Sequence, residues 1–235
     1  MLCGTDMRRL LPPLTGLVML AALAIVFLVV PTEADMGIVQ RIFYFHVASA
    51  WVAFLGFFLV AGASAVYLWN GSPTADRLAY AAAEVGVLFC TLVLVTGPIW
   101  ARPIWGVWWT WDPRLTMTVV LWAIYASYLM LRAFGGGDAA LARYAAVLGI
   151  VGVLDIPLIV VSVRLLRGIH PAVLTRQEGG TGLVDPWMRV GLLVSALALI
   201  LLAAWFVDLR VRGARLDDEV AALRRELDAR RGEVA

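Results

Sequence analysis

Six stretches of the chain are apolar for long enough to cross a bilayer, which takes roughly 20 residues of helix. They run at about residues 14–30, 45–69, 78–99, 115–134, 144–163 and 187–207. Polar or turn-forming sequence separates them. Arg8 and Arg9 precede the first, and residues 31–41 follow it. Asn70-Gly71-Ser72-Pro73 ends the second, and Gly135-Gly136-Gly137-Asp138 the fourth. Residues 164–185 form a Gly-rich polar loop before the last run, and a charged tail follows it. The pattern predicts an all-α fold: a polytopic membrane helix bundle of six transmembrane helices. The first run, preceded by two arginines, has the outline of a signal peptide. It is long and lacks a small-residue cleavage pattern, so it is expected to be retained as a span.

Composition agrees with this reading. The chain is 62% hydrophobic and 15% charged, against about 25% charged for a soluble domain. Its 19 basic residues are all arginine. Six spans put both termini on one side. With the termini inside, the inner segments carry twelve arginines and the outer ones seven, so the positive-inside rule predicts cytoplasmic termini. The net charge of +2 points to no nucleic-acid partner, and the surrounding lipid is the medium. Cys3 and Cys90 are far apart, which supports neither a disulfide framework nor a thiolate metal site. Two units are expected: residues 1–209 as the six-span domain, and 210–235 as a cytoplasmic helical tail. In the tail Leu216, Val220, Leu223 and Leu227 recur at spacings of 4, 3 and 4 with Arg and Glu between. That spacing fits a short coiled coil or a helix lying on the inner surface.

Residues 100–116, W-A-R-P-I-W-G-V-W-W-T-W-D-P-R-L-T, hold five of the ten tryptophans. Pro98, Pro103 and Pro113 are expected to interrupt regular helix there. Arg102, Asp112 and Arg114 make the stretch too polar for the bilayer core. It reads as an amphipathic segment on the outer face. Indoles favour membrane interfaces, but five within twelve positions exceed what anchoring asks for and fit a platform for a flat ligand. The two histidines, His46 and His170, fall at the outer ends of the second and fifth spans. Imidazole is a common axial ligand of haem iron, and two from different helices could hold a macrocycle from opposite faces. A zinc site would want further ligands that the spacing does not supply. Arg41 and Arg114 run against the orientation rule; they fit propionate carboxylates, interfacial snorkelling, or a pair with Asp112. Asp112-Pro113 reads as a helix cap. Asp155, two residues before Pro157, predicts a kinked, inward-facing fifth helix. Glu84 is expected near the inner surface. No phosphate loop, catalytic triad or metalloprotease motif is present, so the chain reads as a binder and carrier, not an enzyme.

W-G-V-W-W-T-W-D-P-R-L-T, with one flanking histidine on each side and six spans, closely resembles the CcmC family. That is the haem exporter protein C of bacterial cytochrome c maturation, with the tryptophan-rich WWD signature. Asp155-Ile-Pro-Leu-Ile-Val-Val-Ser-Val through Ile169-His170-Pro171 is a weaker second match, and Leu165-Leu166 stand where many relatives carry two aromatics. The resemblance covers about residues 10–207. It implies a protein of the cytoplasmic (inner) membrane that presents haem b at the periplasmic face and passes it to a haem chaperone of CcmE type. An ATP-binding-cassette pair of CcmA and CcmB type and a small single-span subunit of CcmD type would accompany it. It further implies His46 and His170 as axial ligands of the haem iron. Trp105, Trp108, Trp109, Trp111, Asp112 and Arg114 would form the platform, and Arg41 would supply another positive charge. Two other readings share features with this one. A haem lyase carries the same signature but is longer and has extra histidines. A plain transport subunit would line a path with Asp155.

Overall fold

A computed structural model of the chain describes residues 3–135, 138–165, 183 and 185–234, and these are helices joined by short connections. The α-helices among the described residues are, in order, α1 (Cys3–Ala24), α2 (Ile42–Asn70), α3 (Pro73–Trp105), α4 (Pro113–Phe134), α5 (Ala139–Gly152), α6 (Asp155–Leu165) and α7 (Pro186–Val234). A π-helical turn, Ile25–Val29, prolongs α1, and a 3-10 turn, Ile38–Arg41, leads into α2. Among the described residues, six helical stretches are long and apolar enough to cross a membrane, with α5 and α6 forming one of them together. The six expected spans are therefore present.

Local chemistry sets the helix ends. Gly71 closes α2 at φ +67°, a conformation glycine adopts without a Cβ penalty. Ser72 then caps α3, its hydroxyl accepting from the Ala75 amide at 3.3 Å, with Pro73 in the first turn. Asp138 caps α5 in the same way, accepting from the Ala140 amide at 2.7 Å.

Three features differ from the sequence reading. The helix is not interrupted at Pro98 or Pro103: α3 runs through both and stops at Gly106, φ +74°. Each proline removes one backbone donor, a loss that transmembrane helices tolerate where neighbouring groups re-satisfy the carbonyl. The fifth span is two helices and not one kinked helix. Pro157 lacks the N–H that would bond the Val153 carbonyl, and the Ile156 amide takes that carbonyl at 3.1 Å instead, closing a tight turn. Finally, the tail is not a separate short helix. α7 continues unbroken for 49 residues, and residues 209–210 lie inside it, where the sequence changes from apolar to charged.

Small residues let the helices approach closely, as in other membrane bundles. A Cβ on Gly56 of α2 would stand 3.2 Å from Cα of Gly86 on α3. One on Gly149 of α5 would stand 2.9 Å from Val60 Cγ1 on α2. Phe57 stacks on Tyr125 of α4, ring centroids 3.8 Å apart and planes 10° apart. The Tyr125 hydroxyl donates to the Gly149 carbonyl at 2.8 Å, binding α4 to α5. A second buried cluster joins Val26, Val30, Phe43, Tyr44, Trp100, Met188 and Leu192 at the other end of the bundle. α1 packs chiefly on α7, which also lies along α2 and α3.

Ion pairs gather at the end where α1 begins and the tail departs. They are Arg8–Asp208 (3.5 Å), Arg77–Asp218 (2.8 Å), Asp76–Arg132 (2.5 Å) and a two-pronged Glu84–Arg210 pair (2.6 and 2.5 Å). Glu84 thus contacts the chain's own tail. The start of α1 and the charged part of α7 share this end of the bundle.

Candidate functional site

The opposite end brings together the start of α2, the last turns of α3 and the start of α4. His46 sits one turn into α2 and is 7% exposed. Its Nδ1 lies 2.8 Å from the Thr96 hydroxyl of α3. That hydroxyl donates its own proton to the Leu92 carbonyl at 2.7 Å. A hydroxyl has one proton to give, so toward the imidazole it acts as acceptor. With the hydroxyl accepting, the His46 proton sits on Nδ1, and a neutral ring then keeps its lone pair on Nε2. Among the described residues Nε2 makes no hydrogen bond. Fixing one ring nitrogen to leave the other as a donor to metal is the usual arrangement around a ligating histidine.

Two further residues frame the ring. A Cβ on Gly97 would stand 3.5 Å from His46 Cε1, so this glycine keeps that edge uncovered. The Trp100 indole meets the imidazole edge-on, centroids 5.7 Å apart, and is itself 3% exposed. Its Nε1 is buried and has no hydrogen-bond partner among the described residues. Trp105 follows at 6.0 Å from Trp100, extending the row along the final turn of α3. Sequence reasoning placed Trp100 in the segment but not in the site, and missed Thr96 and Gly97. The trace available was that Thr96 precedes Trp100 by four residues, one helical turn on the same face.

Residues 106–112 form the connection between α3 and α4. Trp108 and Trp111 are open to the surroundings, 60% and 73% exposed. The Arg102 guanidinium lies 6.0 Å over the Trp108 ring and also donates to the Gly106 carbonyl. Trp109 meets Trp111 edge-on at 5.6 Å, and its buried Nε1 has no partner among the described residues. The aromatic part of the site is thus open while its imidazole is enclosed.

Asp112 caps α4 as expected. Its Oδ1 accepts from the Leu115 amide at 3.0 Å, its Oδ2 lies 3.5 Å from the Thr110 hydroxyl, and Pro113 fills the first turn. The pairing of Asp112 with Arg41 or Arg114 is not formed. Arg114 is half-buried in the first turn of α4. Arg41 ends the 3-10 turn before α2, with its guanidinium 5.7 Å over the Phe27 ring and its Nε buried without a partner among the described residues. Asp155 opens α6 and is 8% exposed, facing inward as expected, with Oδ2 unpartnered among the described residues. His170 lies outside the described residues.

A multi-pass α-helical membrane protein, with an enclosed histidine beside an open tryptophan-rich connection, is the class that fold and site define. The model of the family described as "Heme exporter protein C" matches residues 3–226. Among curated relatives, Heme exporter protein C of Bradyrhizobium diazoefficiens is 35% identical over 185 residues, covering 79% of this chain and 69% of the relative. The Escherichia coli protein of that name is 34% identical over 185 residues, 77% of this chain and 73% of the relative. That of Rhodobacter capsulatus is 35% identical over 126 residues, 52% of each chain. The chain belongs to the Heme exporter protein C family.

Proposed function

We propose that the chain binds haem b and presents it at the periplasmic face of the inner membrane, for transfer to a haem chaperone in c-type cytochrome biogenesis. In this reading haem is cargo, and the chain is a carrier with no catalytic step of its own. His46 and His170 are the axial ligands. Trp105, Trp108, Trp109 and Trp111 line or stack on the macrocycle. Arg41 and Arg114 meet the propionates, and Asp112 holds the start of α4 in place. The end of the bundle bearing His46 faces the periplasm, and the charged end faces the cytoplasm, where positive charge collects. The transporter pair, the single-span subunit and the chaperone are the partners that go with this role.

The Thr96–His46 hydrogen bond carries the reading. It commits one imidazole nitrogen to the protein and leaves the other, in the neutral ring, as a lone-pair donor beside aromatic surface. The residues fit a porphyrin in two further respects. Among the described residues, the indole N–H groups of Trp100 and Trp109 and the Nε of Arg41 are buried donors without partners; buried polar groups are ordinarily satisfied, and a carboxylate-bearing macrocycle brings acceptors. Arg114 adds charge of the sign that propionates require. Because His46 is 7% exposed, ligation in this reading requires the side chains around Trp100 to part as haem enters.

The test is the optical spectrum of the purified full-length protein titrated with haem. The expected outcome is a low-spin, six-coordinate spectrum that is lost in His46→Ala, His170→Ala double-substituted protein, with the pigment extractable as unmodified haem b. An unchanged spectrum in that variant would refute axial ligation by these histidines.

A further inference from the structure

The charged part of α7 carries an apolar stripe that the bundle does not cover. Leu209, Leu216, Val220, Leu223 and Leu227 are 42%, 60%, 46%, 60% and 55% exposed. With Gly213 they occupy successive core positions of a heptad repeat, spaced 4, 3, 4, 3 and 4. Asp208 and Asp218, off this stripe, are the residues that Arg8 and Arg77 tie to the bundle. The stripe is thereby turned away from the chain's own helices.

The charges beside the stripe say what would cover it. In a parallel pair of helices, the residue before one core position faces the partner's residue five places further on. Arg212 would face Asp217 of the second copy, Glu219 would face Arg224, and Glu226 would face Arg231. All three pairs have opposite signs, and two-fold symmetry repeats each of them. A sequence complementary to itself in parallel register fits another copy of the same helix. Val220 between Leu216 and Leu223 is the β-branched and leucine alternation that favours two strands. The membrane supplies the polarity. Copies inserted the same way send α7 out of the bilayer on one side and in one direction, so an antiparallel pair cannot form.

We propose that residues 209–231 of α7 form a parallel two-stranded coiled coil with a second copy of this chain, joining two bundles at the end remote from His46. About three turns on each side of Val220 make a short seam, marginal for free peptides in water. Here the spans confine both partners to one membrane, which raises their effective concentration. The exposed intrahelical pairs Arg215–Glu219 and Arg230–Glu226 exchange with the interchain ones. This pairing does not depend on the haem reading.

The experiment uses the full-length chain in native membrane vesicles with Cys3→Ser, Cys90 being buried. Single substitutions place a cysteine on the seam (Leu216→Cys, Val220→Cys, Leu223→Cys) or off it (Ala222→Cys, Arg225→Cys). Mild oxidation is expected to give disulfide-linked dimers from the seam set and monomers from the other. Adding Glu219→Arg with Glu226→Arg to the Leu223→Cys chain should abolish its dimer. Co-expression with a differently tagged copy carrying Arg224→Glu, Arg231→Glu and Leu223→Cys should restore a mixed dimer. Equal cross-linking on and off the seam, seam cysteines that stay monomeric, or linkage to a different polypeptide would each overturn the proposal. Retained membrane insertion and an unchanged thermal-unfolding midpoint in the charge-reversed chain separate a lost tail contact from a misfolded bundle.

Discussion

At the scale of single residues, the informative contact is the one from His46 Nδ1 to the Thr96 hydroxyl at 2.8 Å. If His46 is a ligand, Thr96 is its positioning residue. Thr96→Val keeps the shape of the side chain and removes the acceptor. Loss of such an outer partner typically weakens metal affinity by about 10- to 100-fold. We expect a loss of that order in haem titrations of Thr96→Val, and near-native affinity for Thr96→Ser, which restores the hydroxyl. Equal loss in both would show that Thr96 acts through packing. None of this was legible in the sequence. A threonine in an apolar span usually satisfies itself on its own helix, as Thr91 and Thr118 do through the Val87 and Arg114 carbonyls. Only the pairing of α2 with α3 shows that Thr96 also faces an imidazole fifty positions away. By contrast, the Asp112-Pro113 cap was readable, because a cap is local chemistry completed within four residues.

At the scale of elements, close helix packing rests on a few glycines. Gly149→Leu would drive a side chain into Val60, Ser64 and Tyr128, which stand 2.9 to 3.4 Å from a Cβ at that position. Overpacking of this kind typically destabilises by about 1–3 kcal/mol. Gly62 has no atom within 4 Å of its would-be Cβ. Gly62→Ala should therefore stabilise by up to about 1 kcal/mol, since it removes backbone freedom from a helix interior. Thermal unfolding in detergent, followed by circular dichroism, checks both; equal behaviour would mean that α5 does not pack as described. The spans themselves were plain from hydropathy, whereas their ends and breaks were not. Pro98 and Pro103 read as breakers, yet α3 passes through both. The same residue type at Pro157 coincides with a real break. The difference lies in whether tertiary neighbours hold the helix together, and that is absent from a local pattern. The apolar run that ends near Val207 likewise marks where lipid contact ends. Helix continuity depends on backbone preference, and the Ala, Leu, Arg and Glu residues beyond it are strong helix formers.

At the scale of the whole molecule, the chain has two unlike ends, one rich in tryptophan around His46 and one laced by ion pairs. The Arg asymmetry of the sequence anticipated the charged end, but not that Glu84 and Arg210 would clasp each other. Arg210 is more than half exposed, and exposed pairs contribute little, at most about 1 kcal/mol. We therefore expect Glu84→Gln to lower stability by less than that, with the difference vanishing at high salt. A larger, salt-independent loss in the same unfolding assay would mean that the pair is buried in the membrane-embedded protein. The packing of α1 on α7 also fixes an order of events during synthesis. α1 leaves the ribosome well before its main neighbour α7, which begins only at Pro186. Until that neighbour is inserted, α1 stands alone in lipid or in the care of the insertion machinery, and the bundle closes like a ring whose clasp is made last. Residues 1–37 co-expressed as a separate fragment should accordingly be retained by a 38–235 fragment and lost from a 38–185 fragment.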